Sequence, residues 1–181
     1  RHLDNVLTAG NRGKALVARI VAFSRGGAGE RTVLSLRTVV AESLELMRAA
    51  LPSHVILESD LGSDPLVVAG DATELHQIVM NLCTNAAQAM SGGGTMRVSL
   101  GSVSCEEGRM LSHGAIARGR YVLLRVSDTG GGMEAATLER IFDPFFTTRS
   151  AGGGTGLGLA VVHGLVADAG GGIDVSSRPG A

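Results

Sequence analysis

The stretch that decides the fold runs from Asp128 to Leu159 and reads DTGGGMEAATLERIFDPFFTTRSAGGGTGLGL. Two glycine-rich turns flank an aromatic-bearing segment, and the second turn runs into an apolar, helix-like segment. Glycine lets a backbone approach a ligand closely because it has no Cβ, and a helix N-terminus offers backbone amides to an anion. The stretch therefore predicts a site for a phosphate-bearing ligand.

Composition limits the classes of protein to which this chain can belong. A length of 181 residues suits one domain, or one domain with an appendage. The formal net charge of −1 gives no electrostatic case for binding nucleic acid or an anionic membrane, and no apolar run reaches the roughly 18 residues of a membrane span. Cys83 and Cys105 are too few for a disulfide framework or a metal motif. We therefore expect a cytoplasmic domain with reduced cysteines, and a membrane anchor elsewhere in the parent protein stays open.

Hydrophobic periodicity gives a coarse order of helices and strands. It predicts helices over residues 3–23, 38–51, 71–90, 137–142 and 156–168. It predicts strands over residues 31–36, 55–61, 66–68, 95–104, 120–128 and 173–177. The dense apolar run at 120–128 favours a central strand, and the polar excursion at 106–119 favours an exposed loop. Surface positions are expected for His54, His76 and His113, and a packing role for His163.

The strongest predicted helix is 71–90, which opens with Asp71 and Glu74 in a capping-box pattern. Its predicted buried stripe is Leu75, Ile78, Val79, Leu82, Ala86 and Ala89. A second line along the helix carries only neutral amides, namely Gln77, Asn81, Asn85 and Gln88. Two interpretations stay open at this point. The line is either an ordinary polar surface or a wall whose amide oxygens coordinate a hard cation without adding negative charge.

Four motifs follow one another in a fixed order: QIVMNLCTNAAQAM (77–90), DTGGGM (128–133), FDPFF (142–146) and GGGTGLGL (152–159). This series resembles the N, G1, F and G2 boxes of the catalytic ATP-binding domain of two-component sensor histidine kinases. That domain belongs to a wider family that includes gyrase B, Hsp90 and MutL. The resemblance covers about residues 31–181, and the NAAQAM and FFTT sequences are most similar to kinases of the nitrogen-regulation and hybrid type.

The resemblance implies an α+β fold, a two-layer α/β sandwich with a mixed, mostly antiparallel sheet and helices on one face. Residues 31–181 would form this catalytic domain, without the family's C-terminal strand, and residues 26–30 would be a linker. Residues 1–25, which end in AFSR, resemble the second helix of a dimerisation hairpin. The intact protein would accordingly be a homodimer.

The resemblance also implies ATP and Mg²⁺ as ligands. Asp128 matches the family aspartate that accepts a hydrogen bond from the adenine amino group, which guanine lacks at that place. Asn85 matches the magnesium ligand, and Asn81 matches the polar position near the phosphates, so Asn81 is the catalytic candidate. Further nucleotide contacts are expected from Gly130, Gly132, Met133, Thr147, Arg149, Gly154, Thr155, Gly156, Leu157 and Gly158.

A lid segment, residues 144–154, would cover the nucleotide, with Phe142 and Phe145 as its anchors. Arg149 stands in this segment where relatives often carry a lysine that reaches the phosphates. Gln88 departs from the family pattern, because many sensor kinases carry a basic residue there.

The implied activity is transfer of the γ-phosphoryl group of ATP to a histidine, and from there to the aspartate of a response-regulator receiver domain. Positioning and Mg²⁺ supply most of the catalysis in such reactions. In the family the acceptor histidine lies on the first helix of the dimerisation hairpin, and His2 lacks the flanking pattern of such a site. The expected partners are therefore an acceptor hairpin of the same protein and a receiver domain, and no nucleic acid.

Two other classes of function stay open. Conformational ATPases of the gyrase, Hsp90 and MutL type carry a glutamate one turn before the metal asparagine. This chain has Asn81 there, and an amide cannot act as a general base. The other class is a non-catalytic nucleotide-binding module.

Overall fold

The computed structural model describes residues 31–149 and 154–180. Its helices are α1 (Leu36–Ala50), α2 (Ala72–Ala89), α3 (Ala135–Leu138) and α4 (Gly158–Asp168). Its strands are β1 (Thr32–Ser35), β2 (Val55–Asp60), β3 (Val67–Gly70), β4 (Gly94–Cys105), β5 (Arg109–Met110), β6 (Ala115–Ile116) and β7 (Gly119–Asp128). The predicted dimerisation helix and linker lie outside the described residues.

Strand β4 is the middle strand of a three-stranded sheet, with β2 parallel on one side and β7 antiparallel on the other. The prediction of a central strand at 120–128 is therefore wrong, because β7 pairs only with β4 among the described strands. Along β7, Leu123 is 42% exposed while its neighbours Val122 and Leu124 are half-buried. The apolar run thus reflects an alternating strand rather than one buried on both faces.

The core lies between this sheet and helices α1 and α2. Strand β4 directs Met96, Val98 and Leu100 toward the helices, and each of them is at most 8% exposed. Helix α1 contributes Val40 and helix α2 contributes Val79, both completely buried. Full burial of a side chain of this size stabilises a fold by roughly 1.5–3 kcal/mol. The apolar side chains on one face of β4 pack against the apolar faces of α1 and α2. Both helices therefore cover the same face of the mixed sheet.

Helix α2 begins where the sequence predicts. Asp71 is its N-cap, and its Oδ1 accepts hydrogen bonds from the backbone N–H groups of Thr73, at 2.6 Å, and Glu74, at 3.2 Å. The hydrogen bond from the Glu74 amide is the main reason that the pKa of Asp71 lies below its usual range. The buried residues of α2 are Ile78, Val79, Cys83 and Ala86, whereas the predicted Leu75 and Leu82 are half-buried and Ala89 is exposed. Burial raises the pKa of the Cys83 thiol to about 11.

Polar side chains link α1 to α2 within this packing. The Ser43 hydroxyl is completely buried and donates a hydrogen bond to the Val39 carbonyl at 2.8 Å. Its Oγ also lies 2.8 Å from His76 Nδ1, and His76 Nε2 lies 3.3 Å from a carboxylate oxygen of Glu42. His76 is therefore half-buried between the helices, and the expectation of a surface position is wrong.

Strands β1 and β3 form a separate antiparallel pair at the start of the described chain. Arg31, just before β1, donates a hydrogen bond from its guanidinium to the carbonyl of Asp168 at 3.0 Å. A cation at this position is favourable, because the last carbonyls of a helix carry partial negative charge. The start of β1 is thereby tied to the C-terminal end of α4.

Residues 106–119 are not simply an exposed loop, because β5 and β6 pair there as a short antiparallel hairpin. The tip of this hairpin forms an isolated antiparallel bridge between His113 and Ile173. The predicted strand at 173–177 is otherwise wrong, since the backbone there bonds to the hairpin tip instead of extending the sheet. Within residues 31–149 and 154–180, no helix combines the length and apolarity that crossing a membrane requires.

Candidate nucleotide site

The amide line of α2 borders the N-terminus of α4. Asn81 and Asn85 lie one turn apart and are half-buried. A Cβ at Gly158, the first residue of α4, would lie 3.4 Å from the Asn81 Oδ1 and 3.7 Å from the Asn85 Nδ2. Among the described residues, neither amide side chain has a hydrogen-bond partner. The fold thus places two amides that have no partner in the described chain beside the first turn of a helix.

Asp128 lies at the C-terminal end of β7, in front of the first glycine-rich turn. Its Oδ1 accepts a hydrogen bond from the Gly130 N–H at 2.9 Å, which leaves Oδ2 without a partner among the described residues. The next residue, Thr129, both accepts a hydrogen bond from β4 and donates one to it. Its hydroxyl accepts from the Thr95 N–H at 2.9 Å, and its own N–H donates to the Thr95 carbonyl at 3.2 Å. The carboxylate is therefore held in place with one oxygen available.

The rest of the first turn packs between the end of α2 and the last described residues. The Gly131 N–H donates to the Ala89 carbonyl at 3.4 Å, and the Met133 N–H donates to the Ser177 hydroxyl at 2.9 Å. Gly132 has φ +70°, and a Cβ there would overlap the carbonyl group of Arg178. Glycine at 132 is therefore required both by its left-handed backbone and by this close approach.

The second glycine-rich turn is bonded to the lid segment at Gly156. Its carbonyl accepts a hydrogen bond from the Phe145 N–H at 2.9 Å, and its φ is +65°. Leu157 is 5% exposed at the start of α4, whereas the Phe145 side chain is 67% exposed. Phe145 therefore contacts the second turn through its backbone, as expected of an anchor, while its side chain stays exposed.

Phe142, the other predicted anchor, does pack. Its ring centroid lies 4.4 Å from that of His113 and 5.2 Å from that of His163. His163 contacts Phe142 as expected but is itself exposed, and the expected surface position of His113 is wrong because that residue is half-buried.

Arg149 contacts helix α2. Its guanidinium donates a hydrogen bond to the Gln88 side-chain carbonyl, and its backbone N–H donates to the Thr147 hydroxyl at 3.2 Å. Thr147 Oγ1 would lie 3.5 Å from a Cβ at Gly154. The arginine of the lid segment therefore lies at the C-terminal end of the amide line.

Sequence reasoning missed the groups that close the first turn. Thr95 and Ser177 lie 34 and 44 positions away from the turn residues that they bind, and no periodicity connects them. The Ala89 carbonyl is a backbone acceptor and has no residue-type signal. A threonine at each of two paired strand ends is a usable signal only after the register of β4 and β7 is known.

Comparison with known proteins relates this geometry to a family. The family model of histidine kinase-, DNA gyrase B-, and HSP90-like ATPases matches residues 70–181. The sensor kinase CckA of Brucella abortus (strain 2308) is 35% identical over 176 residues, which are 97% of this chain and 19% of that protein. The two-component sensor PprA of Pseudomonas aeruginosa is 37% identical over 167 residues, which are 90% of this chain and 17% of that protein. The chain thus spans less than a fifth of the length of these curated relatives.

A solved structure is also similar. The mycobacterial sensor histidine kinase MprB has a TM-score of 0.59 and 28% sequence identity, over 77% of this chain and 80% of that chain. The predicted resemblance and the predicted mixed α/β fold are therefore confirmed. This chain belongs to the family of histidine kinase-, DNA gyrase B- and HSP90-like ATPases, and its domain is of the kind that sensor histidine kinases carry.

Proposed function

We propose that this chain is the catalytic domain of a sensor histidine kinase, which binds ATP and transfers its γ-phosphoryl group to a histidine. The observation that carries the proposal is the pair Asn81 and Asn85, whose amides have no partner among the described residues and face Gly158. No group within residues 31–149 and 154–180 occupies these amides, and none of their polar atoms is fully buried, so both are available to a ligand. Phosphate oxygens and their cation, at the N-terminus of α4, would satisfy both amides.

The first glycine-rich turn suits the base. The free Oδ2 of Asp128 would accept a hydrogen bond from the adenine amino group, while its Oδ1 stays bonded to Gly130. Gly132 and Met133 continue a backbone that is already bonded to its surroundings. A nucleotide would therefore meet a base site whose shape is set before it binds.

The second turn suits the phosphates and Mg²⁺, with Asn85 as the metal ligand and Asn81 beside the transferring group. Among the described residues, no group of three or more His, Cys, Asp or Glu side chains is placed to hold a metal ion. The other ligands would therefore be phosphate oxygens and water, which is the usual environment of Mg²⁺ in nucleotide sites. The ion would neutralise charge on the phosphates. Thr147, Arg149, Gly154, Thr155, Gly156 and Leu157 are the remaining proposed contacts.

Transfer to histidine is favoured over hydrolysis. Asn81 stands one turn before Asn85, and an amide cannot accept the proton of an attacking water. The acceptor histidine would belong to a dimerisation hairpin of the same protein, and the phosphoryl group would pass on to a receiver-domain aspartate. The reaction would take place in the cytoplasm, where ATP is available.

The test supplies γ-labelled ATP and Mg²⁺ to this chain together with a separate polypeptide that carries the acceptor helix. Label on a histidine supports the kinase. Label released as inorganic phosphate supports the conformational ATPase, and ATP binding with neither product supports a non-catalytic nucleotide module. A chain that does not bind ATP would refute all three.

A further inference from the structure

The tip of the β5–β6 hairpin is bonded to the segment that follows α4. The backbones of His113 and Ile173 exchange two hydrogen bonds, at 3.0 and 3.1 Å. The Ser112 hydroxyl donates to the Ile173 carbonyl at 3.2 Å and accepts from the Val175 N–H at 2.8 Å. Asp174 adds an ion pair with Arg109 at 3.2 Å. These contacts hold the hairpin tip in one position over this segment.

The docked tip presents the His113 ring to two other rings. The His113 centroid lies 4.4 Å from that of Phe142, with the planes at 64°, and 6.4 Å from that of His163. Phe142 and His163 are themselves 5.2 Å apart. The two pairs that His113 makes are edge-to-face, an arrangement that attracts the rings beyond the effect of area burial, whereas the Phe142–His163 pair is tilted at 39°.

The three rings come from three different parts of the chain. Phe142 lies two residues before the lid segment, and His163 lies in α4, which follows that segment. The hairpin contributes the third ring. Between Phe142 and α4, the Phe145 N–H donates a hydrogen bond to the Gly156 carbonyl. Gly158, two residues after Gly156, lies against Asn81. The ring cluster therefore joins the two chain segments that flank the phosphate end of the site.

We propose that His113 is a positioning residue for the nucleotide. It fixes Phe142 against α4 and thereby keeps the Gly154–Gly158 turn in place beside the asparagines of α2. The β5–β6 hairpin thus stabilises the phosphate end of the site, the Gly154–Gly158 turn, and is not merely a solvent-exposed loop. The expected effect on ATP affinity rests on the proposed nucleotide function. The expected effect on cleavage of the chain rests on the ring cluster alone.

The experiment compares His113→Ala and His113→Phe with Met110→Ala, all in this chain. Met110 lies on the same hairpin, and its side chain is 77% exposed. His113→Ala should weaken Mg²⁺–ATP binding about 2- to 10-fold, the effect of one ring pair. It should also speed trypsin cleavage after Arg149 by a similar factor without nucleotide. His113→Phe keeps the ring pair and should remain near the native values, and Met110→Ala should change neither.

Native ATP affinity together with native cleavage in His113→Ala would overturn the proposal, as would equal damage from His113→Phe and His113→Ala. Ser112→Ala is the second variant, in case His113→Ala does not fold. It removes the two hydrogen bonds that the hydroxyl makes with residues 173 and 175, and it should reproduce both effects. Cleavage after Arg149 needs no nucleotide, so a native chain that fails to bind ATP would refute the proposed function while the cleavage rates still decide the role of His113.

Discussion

The two glycine-rich turns of this chain are held in different ways. The first turn is bonded to three neighbours, through Thr129 to β4, Gly131 to the end of α2, and Met133 to Ser177. The contacts of the second turn include the Phe145–Gly156 backbone hydrogen bond and the packing of Gly158 against Asn81 and Asn85.

The difference separates two demands on a nucleotide site. A base site that is already ordered costs little conformational entropy when its ligand binds. The phosphate end depends on segments outside the turn, namely Phe145 before it and α4 after it. Changes in the first turn should therefore affect every adenine nucleotide alike, whereas changes at the second should depend on the phosphates and on Mg²⁺.

The largest expected effect comes from the base end. Asp128→Asn should weaken binding of ATP and ADP by the same factor, about 100-fold. An asparagine that keeps the Gly130 hydrogen bond turns its NH₂ group toward the adenine amino group, so that two donors face each other. Calorimetry measures both affinities, and circular dichroism checks the fold. Retained ATP affinity would refute the adenine contact of Asp128.

The next effect tests whether the first turn is as tightly fixed as its contacts indicate. Gly132→Ala should lower the free energy of unfolding by about 2 kcal/mol, because alanine is strained at φ +70° and its Cβ overlaps the Arg178 carbonyl. Gly131→Ala is the matched control, since nothing lies within 4 Å of its Cβ position. Urea denaturation compares the two variants. Equal stability would mean that the turn adapts easily and that the contrast between the turns is wrong.

At the phosphate end, Asn85→Ala should weaken ATP binding in Mg²⁺ about 10-fold and have a smaller effect in a chelator. The amide oxygen would be lost as a metal ligand, and the base contacts would stay. Gln77→Ala removes an amide from the same line two turns earlier, about 12 Å along the helix, and should bind normally. An unchanged Mg²⁺ requirement in Asn85→Ala would contradict the metal assignment.

Arg149 should matter for the phosphates and not for the base. Arg149→Ala should weaken ATP binding about 5- to 10-fold and affect adenosine little, since a charged hydrogen bond to phosphate is lost. Arg118→Ala removes the same charge from an exposed position and serves as the control. If the two variants weaken ATP binding equally, the net charge of the chain alone explains the effect. The position of Arg149 beside Gln88 would then have no specific role.

The smallest effect concerns α2, the helix that both turns share. Asp71→Ala should destabilise the fold by about 1 kcal/mol through loss of the N-cap, and Asp71→Asn should retain the cap. Because the folded pKa of Asp71 lies below the ordinary value of 3.8, its stabilising contribution is full above that pH and is lost as the pH falls through the folded pKa. The advantage of native over Asp71→Asn should accordingly disappear in acid. Denaturation at neutral and acidic pH measures this advantage, and a difference that does not change with pH would contradict the negative charge of Asp71 as its source.

The sequence predicts the elements whose signals are local. Helix α2 is the clearest case, because a cap, an apolar stripe and a stop all lie within the helix or next to it. The docked hairpin and the irregular segment at 173–177 could not be predicted, because they depend on contacts such as Ser112 with Ile173, 61 positions apart. Apolar density also misled us about β7, since the number of partners of a strand is a property of the sheet.

The candidate site divides in the same way. Its side chains, Asn81, Asn85 and Asp128, could be found from motif order and chemistry, and their roles stay predictions. The groups that hold the first turn could not be found, because a backbone carbonyl such as that of Ala89 is present at every residue. The sequence thus names the groups that would touch a ligand better than the groups that support them.

The hydrogen bond between Arg31 and the Asp168 carbonyl has a mechanical consequence. Helix α4 has 11 residues and is therefore about 16 Å long. One of its ends is tied to the residue that leads into β1, and the other end, Gly158, lies against Asn81 and Asn85. The residue that leads into β1 and the proposed phosphate site therefore contact opposite ends of one helix, so α4 sets the distance between them.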